Sequence, residues 1–425
     1  MYIQSMTSRG IIPGMERIAL LCDTLGNIQD DLKIVHVAGT NGKGSVSAFI
    51  SSILRCSGYT VGQYSSPALT DERDHFRING AIITEEEYVE CVRILENACT
   101  QSCAEPTVFE AETVLAFIYF AMRKCDVAVI ECGMGGRQDA TNIIRNPVAC
   151  VFTSISLDHT GILGNTVTEI AHEKAGIIKS GAGVVALESS CEALEVIKEY
   201  ANREKCPMRL ARKADINDWE YVQDGCVLSY KEFEKVRIGL VGEFQGENAI
   251  TAIETAYALR EKGFDISNEA IVQGLATTVW PFRFERISDE PPVYLDGAHN
   301  PDAARKLAIT IAKNFGNRPI IMILSVLADK DYTEIADVLC RRIRLVVCTM
   351  TPDNVRALEC SKLREAVLKV NENVYEAEQL DDAHRIAKRE YELLTENGEE
   401  PVIICCGSLS YLSKMKNIWL ENCEK

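Results

Sequence analysis

The sequence predicts a two-domain α/β protein built on parallel sheets, and three observations lead to this fold class. Short apolar runs alternate with longer stretches in which apolar residues recur at helical spacing. The 425 residues give room for two or three domains. An acidic stretch with two prolines, Ser288–Pro292, interrupts the pattern and predicts a linker. We therefore expect domains at 1–287 and 288–425.

The strand candidates of the first domain are short runs rich in β-branched residues. They are Ile34–Ala38, Val61–Tyr64, Val127–Glu131, Cys150–Ile155 and Gly183–Leu187. The helix after the first strand is predicted by the stripe Val46, Phe49, Ile50, Ile53 and Leu54. Thr166 and Glu169 have the spacing of a capping box and predict another helix start. Residues 211–241 alternate and contain turn signals, which is typical of antiparallel strands.

A second, shorter series of strands follows the predicted linker. Its apolar runs are Val293–Asp296, Ile320–Leu324, Leu345–Thr349 and Val402–Cys406, with helical stretches between them. This pattern predicts a smaller, Rossmann-like open sheet with parallel strands.

Composition excludes several classes of protein. The formal net charge of −17 disfavours general nucleic-acid binding and adsorption to anionic membranes. No run of 18 apolar residues is present, so no membrane span is predicted. The 17 cysteines are scattered and form no CxxC pair, which argues against structural zinc and against a disulfide framework. We expect reduced thiols in a cytoplasmic protein.

The first strand runs directly into Gly39-Thr-Asn-Gly-Lys-Gly-Ser45, which we call the phosphate loop, and then into a helix. Glycines let backbone N–H groups approach phosphate oxygens, and the helix N-terminus adds positive potential. Lys43 is placed to reach the β- and γ-phosphates, and the Ser45 hydroxyl to ligate Mg²⁺. The match to a P-loop is imperfect because Gly44 separates the two residues. The alternative is a glycine-rich turn without a ligand.

Seven further motifs follow in order along nearly the whole chain. They are Tyr64-Ser-Ser-Pro67, Glu131-Cys-Gly-Met-Gly-Gly-Arg-Gln-Asp-Ala-Thr-Asn142, Leu157-Asp-His-Thr-Gly-Ile-Leu-Gly164, Ile170-Ala-His-Glu-Lys-Ala-Gly-Ile177, Trp280-Pro-Phe-Arg-Phe-Glu285, Asp296-Gly-Ala-His-Asn-Pro301 and Gly407-Ser-Leu409. Together with the phosphate loop they resemble the folylpolyglutamate synthase/dihydrofolate synthase family of the Mur ligase superfamily. The resemblance implies an enzyme that joins L-glutamate to a folate with ATP as co-substrate, through an acyl phosphate.

The resemblance also implies the sites for nucleotide and metal. Asn41, Gly42, Lys43, Gly44, Ser45, Asn248, Arg283, Asp296 and His299 match residues that contact ATP. Ser45, Ser66, Glu131, His159 and Lys174 match the ligands of two Mg²⁺ ions, and Lys43, His159 and Lys174 match catalytic residues. Lys174 matches a lysine that the family carbamylates, which turns a cation into an oxygen ligand. The catalytic site is expected between the domains, to be completed by their closure.

The residues themselves leave alternatives open at several of these positions. Glu131 also fits a solvated acid at a strand end, His159 fits an ordinary loop histidine equally well, and a helical lysine such as Lys174 is ordinarily solvated. Histidine is also an unusual ligand for magnesium, which prefers oxygen. Arg283 has the bidentate geometry of a phosphate clamp but also suits an interdomain salt bridge.

For the folate, the resemblance implies contacts from Phe109, Asp139 and Ala140, although Phe109 is equally a core residue. The 135–142 segment looks closer to the bifunctional type that also converts dihydropteroate. Three residues depart from the family pattern: Ala68 and Phe244 stand where histidine is usual, and Phe282 where glycine is usual. These departures affect substrate contacts and loop geometry and leave the ATP and metal set intact.

Two other functions are possible for a chain with such a loop. A cell-wall Mur ligase acting on a UDP-linked precursor usually carries an extra N-terminal domain, and the phosphate loop at Gly39 leaves no room for one. A GTPase-like switch requires an Asn-Lys-x-Asp motif, which is not present. The expected partners are ATP, glutamate and folate or dihydropteroate, without nucleic acid or membrane, and the chain is expected to be a monomer.

Overall fold

The fold is given by a computed structural model, which describes residues 2, 3, 5, 6, 10, 12, 14–68, 71–158, 160–222 and 225–423. Its internal contacts divide the chain into two units. The first comprises Met1–Trp219, Val227–Gly239 and Gln245–Val279, and the second comprises Glu220–Cys226, Leu240–Phe244 and Trp280–Lys425.

The first unit contains an eight-stranded sheet in the order β4-β3-β2-β5-β1-β6-β7-β8. Six neighbouring strands, from β2 to β8, pair in parallel, and β3 and β4 add an antiparallel edge. The strands are β1 Ile34–Ala38, β2 Val61–Tyr64, β3 Phe76–Ile78, β4 Ala81–Ile82, β5 Val127–Glu131, β6 Ala149–Phe152, β7 Gly183–Leu187 and β8 Met208–Ala211. The parallel sheet confirms the predicted fold class for this part of the chain.

Helices connect these strands. They are α1 Glu16–Thr24, α2 Lys43–Cys56, α3 Glu85–Ser102, α4 Val108–Met122, α5 Thr160–Leu163, α6 Val167–Ala175, α7 Cys191–Arg203, α8 Gln245–Glu261 and α9 Asn268–Thr277. Short 3₁₀ helices occupy Ile28–Asp31, Glu72–His75, Ala140–Ile143 and Lys213–Asp215. The capping box predicted at α6 is present, since Thr166 Oγ1 accepts from Glu169 N and the Glu169 carboxylate accepts from Thr166 N.

The stretch predicted as antiparallel forms a three-stranded sheet in the order β11-β10-β9. Its strands are β9 Ile216–Val222, β10 Gly225–Tyr230 and β11 Phe233–Ile238.

The second unit contains a six-stranded sheet in the order β12-β13-β17-β14-β15-β16, parallel except for the edge strand β12. Its strands are β12 Glu285–Asp289, β13 Pro292–Asp296, β14 Ile320–Leu324, β15 Leu345–Thr349, β16 Val374–Ala377 and β17 Val402–Cys406. Its helices are α10 Pro301–Phe315, α11 Tyr332–Cys340, α12 Cys360–Leu368, α13 Leu380–Glu396 and α14 Leu409–Cys423.

The unit boundary differs from the one that composition predicts. Residues 288–292 comprise the turn of a hairpin and the strand ends beside it, because β12 pairs antiparallel with β13. Pro291 therefore lies in this turn and Pro292 begins β13, and the segment of the second unit that contains the hairpin begins at Trp280.

Every residue of β1, β5, β14 and β17 is buried, so both faces of these central strands of the two large sheets are covered. No helix of the described residues is long and apolar enough to span a membrane.

Candidate active site

The predicted site residues of the first unit collect at one edge of its sheet. Strands β2, β5, β1 and β6 are parallel neighbours, so their carboxyl ends lie side by side. The residues that end or follow them are Ser66 after β2, Glu131 at the end of β5, the phosphate loop after β1, and Asp158 beyond β6. His159, the next residue, lies outside the described residues.

Two glycines of the phosphate loop stand where a side chain has no space. Gly42 has φ 91°, and a Cβ there would lie 2.4 Å from Asn248 Oδ1. A Cβ on Gly39 would lie 1.8 Å from Thr153 Oγ1. Glycine is needed here both for its backbone conformation and for close approach.

Side chains donate hydrogen bonds to three successive backbone carbonyls of the loop, two of them from outside the loop and one from its own Lys43. Lys174 Nζ donates to Gly39 O at 2.8 Å, and Lys43 Nζ to Thr40 O at 3.3 Å. The carbonyl of Asn41 accepts from Thr153 Oγ1 at 2.8 Å and from Ser154 Oγ at 3.1 Å. These bonds fix the orientation of the loop's peptide groups.

Helix α2 begins inside the loop and has an open N-terminus. Its first intrahelical hydrogen bond runs from Val46 N to Gly42 O at 2.9 Å, so the amides of Lys43, Gly44 and Ser45 precede the helical ladder. No side chain of the N-cap residue covers them. Such an end binds anions, because its N–H groups and dipole favour negative charge.

Charged and polar side chains surround this helix end. Lys43 Nζ lies 4.0 Å from Glu131 Oε1, and both side chains are largely buried. Gln245 Nε2 lies 3.5 Å from Ser45 Oγ and its Oε1 accepts from Asn248 Nδ2 at 2.9 Å. The structure therefore brings the predicted nucleotide residues Asn41–Ser45 and Asn248 together.

Lys174 is buried rather than solvated, with 4% of its surface exposed. Burial, and next the positive charge of Lys43, lower its pKa from 10.5 to about 7. Its hydrogen bond to Gly39 O places the amine directly under the phosphate loop. The reading as an ordinary solvated lysine is therefore wrong.

The predicted folate residues also lie together. The ring of Phe109 packs on Gly133, where a Cβ would lie 2.5 Å from Phe109 Cζ. Gly133 begins a loop, residues 133–141, that contains Asp139 and Ala140. Phe109 is half-buried and its ring lies 6.2 Å from that of Tyr64.

The Asp139 carboxylate is directed into its own loop. It accepts from Met134 N at 2.8 Å, Thr141 N at 3.0 Å and Thr141 Oγ1 at 2.5 Å. Burial raises its pKa, and these donors and Lys43 oppose that rise. Asp139 therefore stabilises the conformation of the loop through these three hydrogen bonds.

A second group of predicted residues lies at the carboxyl edge of the sheet in the second unit. Asp296 ends β13, and Gly407-Ser-Leu409 follows its parallel neighbour β17. Asp296 is buried and accepts from Phe284 N at 3.0 Å and Ala298 N at 2.9 Å. A Cβ on Gly297 would lie 2.3 Å from Leu409 Cδ2 and 3.0 Å from Arg283 Nη1.

Charges and hydrogen bonds set the pKa of Asp296 and the tautomer of His299 in this second group. Burial raises the pKa of Asp296, while Arg283 and the two amides lower it. His299 Nδ1 lies 2.8 Å from Gly297 O, so the neutral ring carries its proton on Nδ1.

The three departures from the family pattern have different surroundings. Phe282 adopts φ 58°, a left-handed conformation in which glycine is usual, and its ring is wholly buried. Phe244 is half-buried with Lys306 Nζ 5.6 Å from its ring centre. Ala68 is half-buried beside the predicted metal ligand Ser66 in sequence.

Sequence reasoning missed the side chains that brace the phosphate loop, namely Thr153, Ser154 and Gln245. We predicted a strand to Ile155, but β6 ends at Phe152 because Thr153 and Ser154 turn their hydroxyls to Asn41 O. In the sequence, the polar pair Thr153-Ser154 at the end of an apolar run indicates that the strand ends there.

The described residues contain no group of three or more His, Cys, Asp or Glu side chains arranged to hold a metal ion. The oxygen donors near the loop, Ser45, Ser66 and Glu131, are of the type that Mg²⁺ prefers.

Comparison with protein families gives two matches. The model described as Mur ligase middle domain matches residues 37–256. The model described as Mur ligase, glutamate ligase domain, matches residues 282–409.

Similar curated proteins and solved structures agree with these matches. The dihydrofolate synthase/folylpolyglutamate synthase of Bacillus subtilis is 41% identical over 342 residues, covering 78% of this chain and 79% of the relative. The structure of Mycobacterium tuberculosis folylpolyglutamate synthase complexed with ADP and AMPPCP superposes with a TM-score of 0.90 at 30% identity, covering 99% of this chain and 97% of that one. E. coli FolC in complex with DHPP and ADP gives a TM-score of 0.85 at 28% identity, covering 100% and 97%.

Proposed function

Since this chain belongs to the folylpolyglutamate synthase/dihydrofolate synthase family of the Mur ligases, we propose that it ligates L-glutamate to folate with ATP. We extend the activity to dihydropteroate, because the relatives from B. subtilis and E. coli are named for both activities. The observation that carries the proposal is the phosphate loop, whose carbonyls are held by side chains beside an open helix N-terminus.

The reaction needs ATP because an unactivated carboxylate is a poor acyl donor to an amine. A carboxylate oxygen of the folate attacks the γ-phosphorus of ATP, the bond to the bridging oxygen breaks, and ADP leaves. The glutamate nitrogen then attacks the acyl carbon, phosphate leaves with the C–O electron pair, and the amine gives up a proton. Lys43 and the amides of Lys43–Ser45 hold and neutralise the transferred phosphoryl group.

The residues near the loop fit magnesium. Ser45 Oγ, Ser66 and the Glu131 carboxylate supply hard oxygen donors at one edge of the sheet. Bound there, Mg²⁺ neutralises phosphate charge during transfer. His159 stays a predicted ligand.

Lys174 supplies a further oxygen ligand after carbamylation. Only the neutral amine attacks CO₂, and burial keeps a neutral fraction because the pKa is lowered to about 7. The N–C bond forms, a proton passes to solvent, and the remaining N–H still suits the bond to Gly39 O. Lys174→Ala is expected to lose activity that short carboxylic acids partly restore. Full activity of the variant contradicts the carbamate.

In the second unit, Arg283 contacts phosphate, and Asp296 contacts the ribose or adenine with His299 nearby. The support is their assembly at one strand edge and the Arg283 fork, which suits a phosphate.

One assay tests the function. Glutamate-dependent ADP release is measured with three acceptors: dihydropteroate, tetrahydrofolate and a UDP-linked muramoyl substrate. We expect release with tetrahydrofolate and dihydropteroate only. Release with the muramoyl acceptor alone favours a cell-wall ligase, and ADP release independent of glutamate and of every acceptor favours a non-ligase nucleotide-binding protein.

We place the protein in the cytoplasm as a monomer. Sixteen of the 17 cysteines, those from Cys22 to Cys406, carry free thiols, which suits a reducing compartment. Light scattering of the purified chain tests the monomer, and a mass near 94 kDa, about twice the 47.1 kDa of one chain, contradicts it.

A further inference from the structure

A buried histidine that the function above leaves unused lies beneath the 133–141 loop. His36 is in the middle of β1, between Ile130 of β5 and Cys150 of β6, and is fully buried. Its Nε2 lies 2.8 Å from Thr141 Oγ1 and 3.1 Å from Cys132 Sγ. A polar ring in the central strand of a sheet needs a reason, because burial of an imidazole is costly without a partner.

The hydrogen bonds around Thr141 fix the direction of this contact. A hydroxyl has one hydrogen, and that of Thr141 points to Asp139 Oδ1 at 2.5 Å, a stronger acceptor than Cys132 Sγ at 3.5 Å. Thr141 Oγ1 therefore accepts from His36 Nε2–H. The ring is the Nε2–H tautomer, and its Nδ1 has no hydrogen-bond partner among the described residues.

The same carboxylate closes the loop on itself. Asp139 also accepts from Met134 N and Thr141 N, so one anion ties the start of the loop to its end. Thr141, which is wholly buried, connects this anion to β1 through His36. The chain of contacts runs from a rigid central strand to the loop on which Phe109 packs.

The protonation state of His36 suits this role. Burial lowers its pKa to about 3, because a proton on Nδ1 would place a charge with no acceptor in the core. The histidine is thus a constant donor at neutral pH and takes no part in proton transfer.

We propose that His36 is a positioning residue which, through Thr141 and Asp139, sets the conformation of the 133–141 loop and thereby the affinity for the folate acceptor. The expected effect on acceptor binding rests on the proposed function. The tautomer of the His36 ring rests on the geometry alone. The neutral ring holds the loop before any substrate binds, so its loss is expected to affect acceptor binding rather than nucleotide binding.

Kinetics of four variants test the first consequence. His36→Leu and Thr141→Val remove the donor and the connecting hydroxyl, and each is expected to raise the KM for the folate acceptor about tenfold while the KM for ATP stays within about twofold. His36→Gln keeps a donor and is expected to recover most of the affinity. Thr255→Val is the matched control, since it also removes a fully buried hydroxyl, which donates to Thr251 O at 2.8 Å. Equal rises for both substrates, or an unchanged acceptor KM, overturn the proposal.

Nuclear magnetic resonance of ¹⁵N-histidine-labelled wild-type protein tests the tautomer without any assay. The His36 signals, assigned by their loss in His36→Gln, are expected to show Nε2–H and no titration between pH 8 and pH 5. An Nδ1–H tautomer or a titration in this range overturns the proposal. If no acceptor supports ADP release by the wild type, the proposed function fails, and this spectrum still decides on His36.

Discussion

The phosphate loop and the segment Trp280–Phe284 both contain left-handed backbone, and they accommodate it in opposite ways. The loop has a glycine at this conformation, Gly42 at φ 91°. The segment has two aromatic residues there, Phe282 at φ 58° and Phe284 at φ 51°. Left-handed backbone costs a non-glycine residue about 1–2 kcal/mol.

The difference follows from what lies beside each Cα. At Gly42 the space that a Cβ needs is occupied by Asn248 Oδ1, and Asn248 is expected to contact the nucleotide. At Phe282 the side chain is buried, with 0% of its surface exposed. Burying a phenylalanine offsets the backbone strain. A left-handed position with no space for a Cβ thus requires glycine, whereas one whose side chain is buried accepts a large apolar residue.

The largest effect expected concerns the ligand side of this comparison. Lys43→Ala removes the ammonium that lies between Thr40 O and Glu131, and we expect glutamate-dependent ADP release to fall at least about a hundredfold. Lys33→Ala is the control and should keep its activity, since Lys33 is exposed and directly precedes β1, at the end opposite the phosphate loop. Unchanged release by Lys43→Ala contradicts the phosphate-loop assignment.

The core side of the comparison is tested by replacing Phe282. Phe282→Ala should lose about 3–5 kcal/mol of unfolding free energy, as large-to-small core changes do. Phe282→Gly should be more stable than Phe282→Ala by about 1 kcal/mol, because glycine adopts φ 58° without strain. Urea unfolding of both variants measures the difference.

The control is Phe315, another buried phenylalanine of the same unit, at the end of α10. There the glycine variant should be the less stable by about 1 kcal/mol, as is usual in helices. The same order at both positions would show that Phe282 is not strained.

Much of this fold could be predicted from sequence, because buried parallel strands are nearly continuous apolar runs. Ile34–Ala38 and Ile320–Leu324 were predicted with their observed bounds. The strands β3, β4, β8, β12 and β16, which lie at or next to the sheet edges, were missed, since they are short or mixed in polarity. The linker at Ser288–Pro292 was misplaced because prolines mark a hairpin turn as readily as a domain junction.

For the site, glycine spacing and a strand–loop–helix context located the phosphate loop. The side chains that hold it come from residues more than 100 positions away, such as Thr153 and Lys174, and only the tertiary fold brings them there. Burial decided the character of Lys174, and no local pattern of a helical Glu-Lys pair signals burial.

A smaller effect is expected for Gly42→Ala, which places a Cβ at a left-handed position of the phosphate loop, as Phe282 already has in the other segment. The new Cβ meets Asn248 Oδ1 and adds backbone strain, so we expect about 2 kcal/mol lower stability and about tenfold weaker binding of a non-hydrolysable ATP analogue by calorimetry. Gly58→Ala is the matched control at the other end of α2: its φ is 89° and nothing lies within 4 Å of the new Cβ. It should cost only the strain. Equal nucleotide affinity in the two variants would contradict the role of Asn248.

The most gradual effect, which is spread over several pH units, concerns the lysine that donates to the loop carbonyl of Gly39. Lys174 has a pKa of about 7 in the folded protein and 10.5 when unfolded. Below pH 7 the amine is charged in both states, and the folded state bears the whole cost of burying it. Between pH 7 and pH 10.5 only the unfolded state keeps the proton, so deprotonation stabilises the fold progressively.

Lys174→Met removes this dependence, and the two proteins therefore diverge in a defined direction with pH. The variant should exceed the wild type in unfolding free energy most clearly at pH 6–7, and its advantage should shrink by about 1.4 kcal/mol per pH unit as the pH rises towards 10. Urea unfolding in CO₂-free buffer measures the free energy of the unmodified amine. Lys262→Met is the control, since Lys262 is exposed and donates to Gly181 O, so this change removes a lysine without removing a buried amine. A constant advantage of Lys174→Met across this range would mean that the amine beneath the phosphate loop keeps its ordinary pKa, and the neutral nucleophile needed for carbamylation would then be lacking.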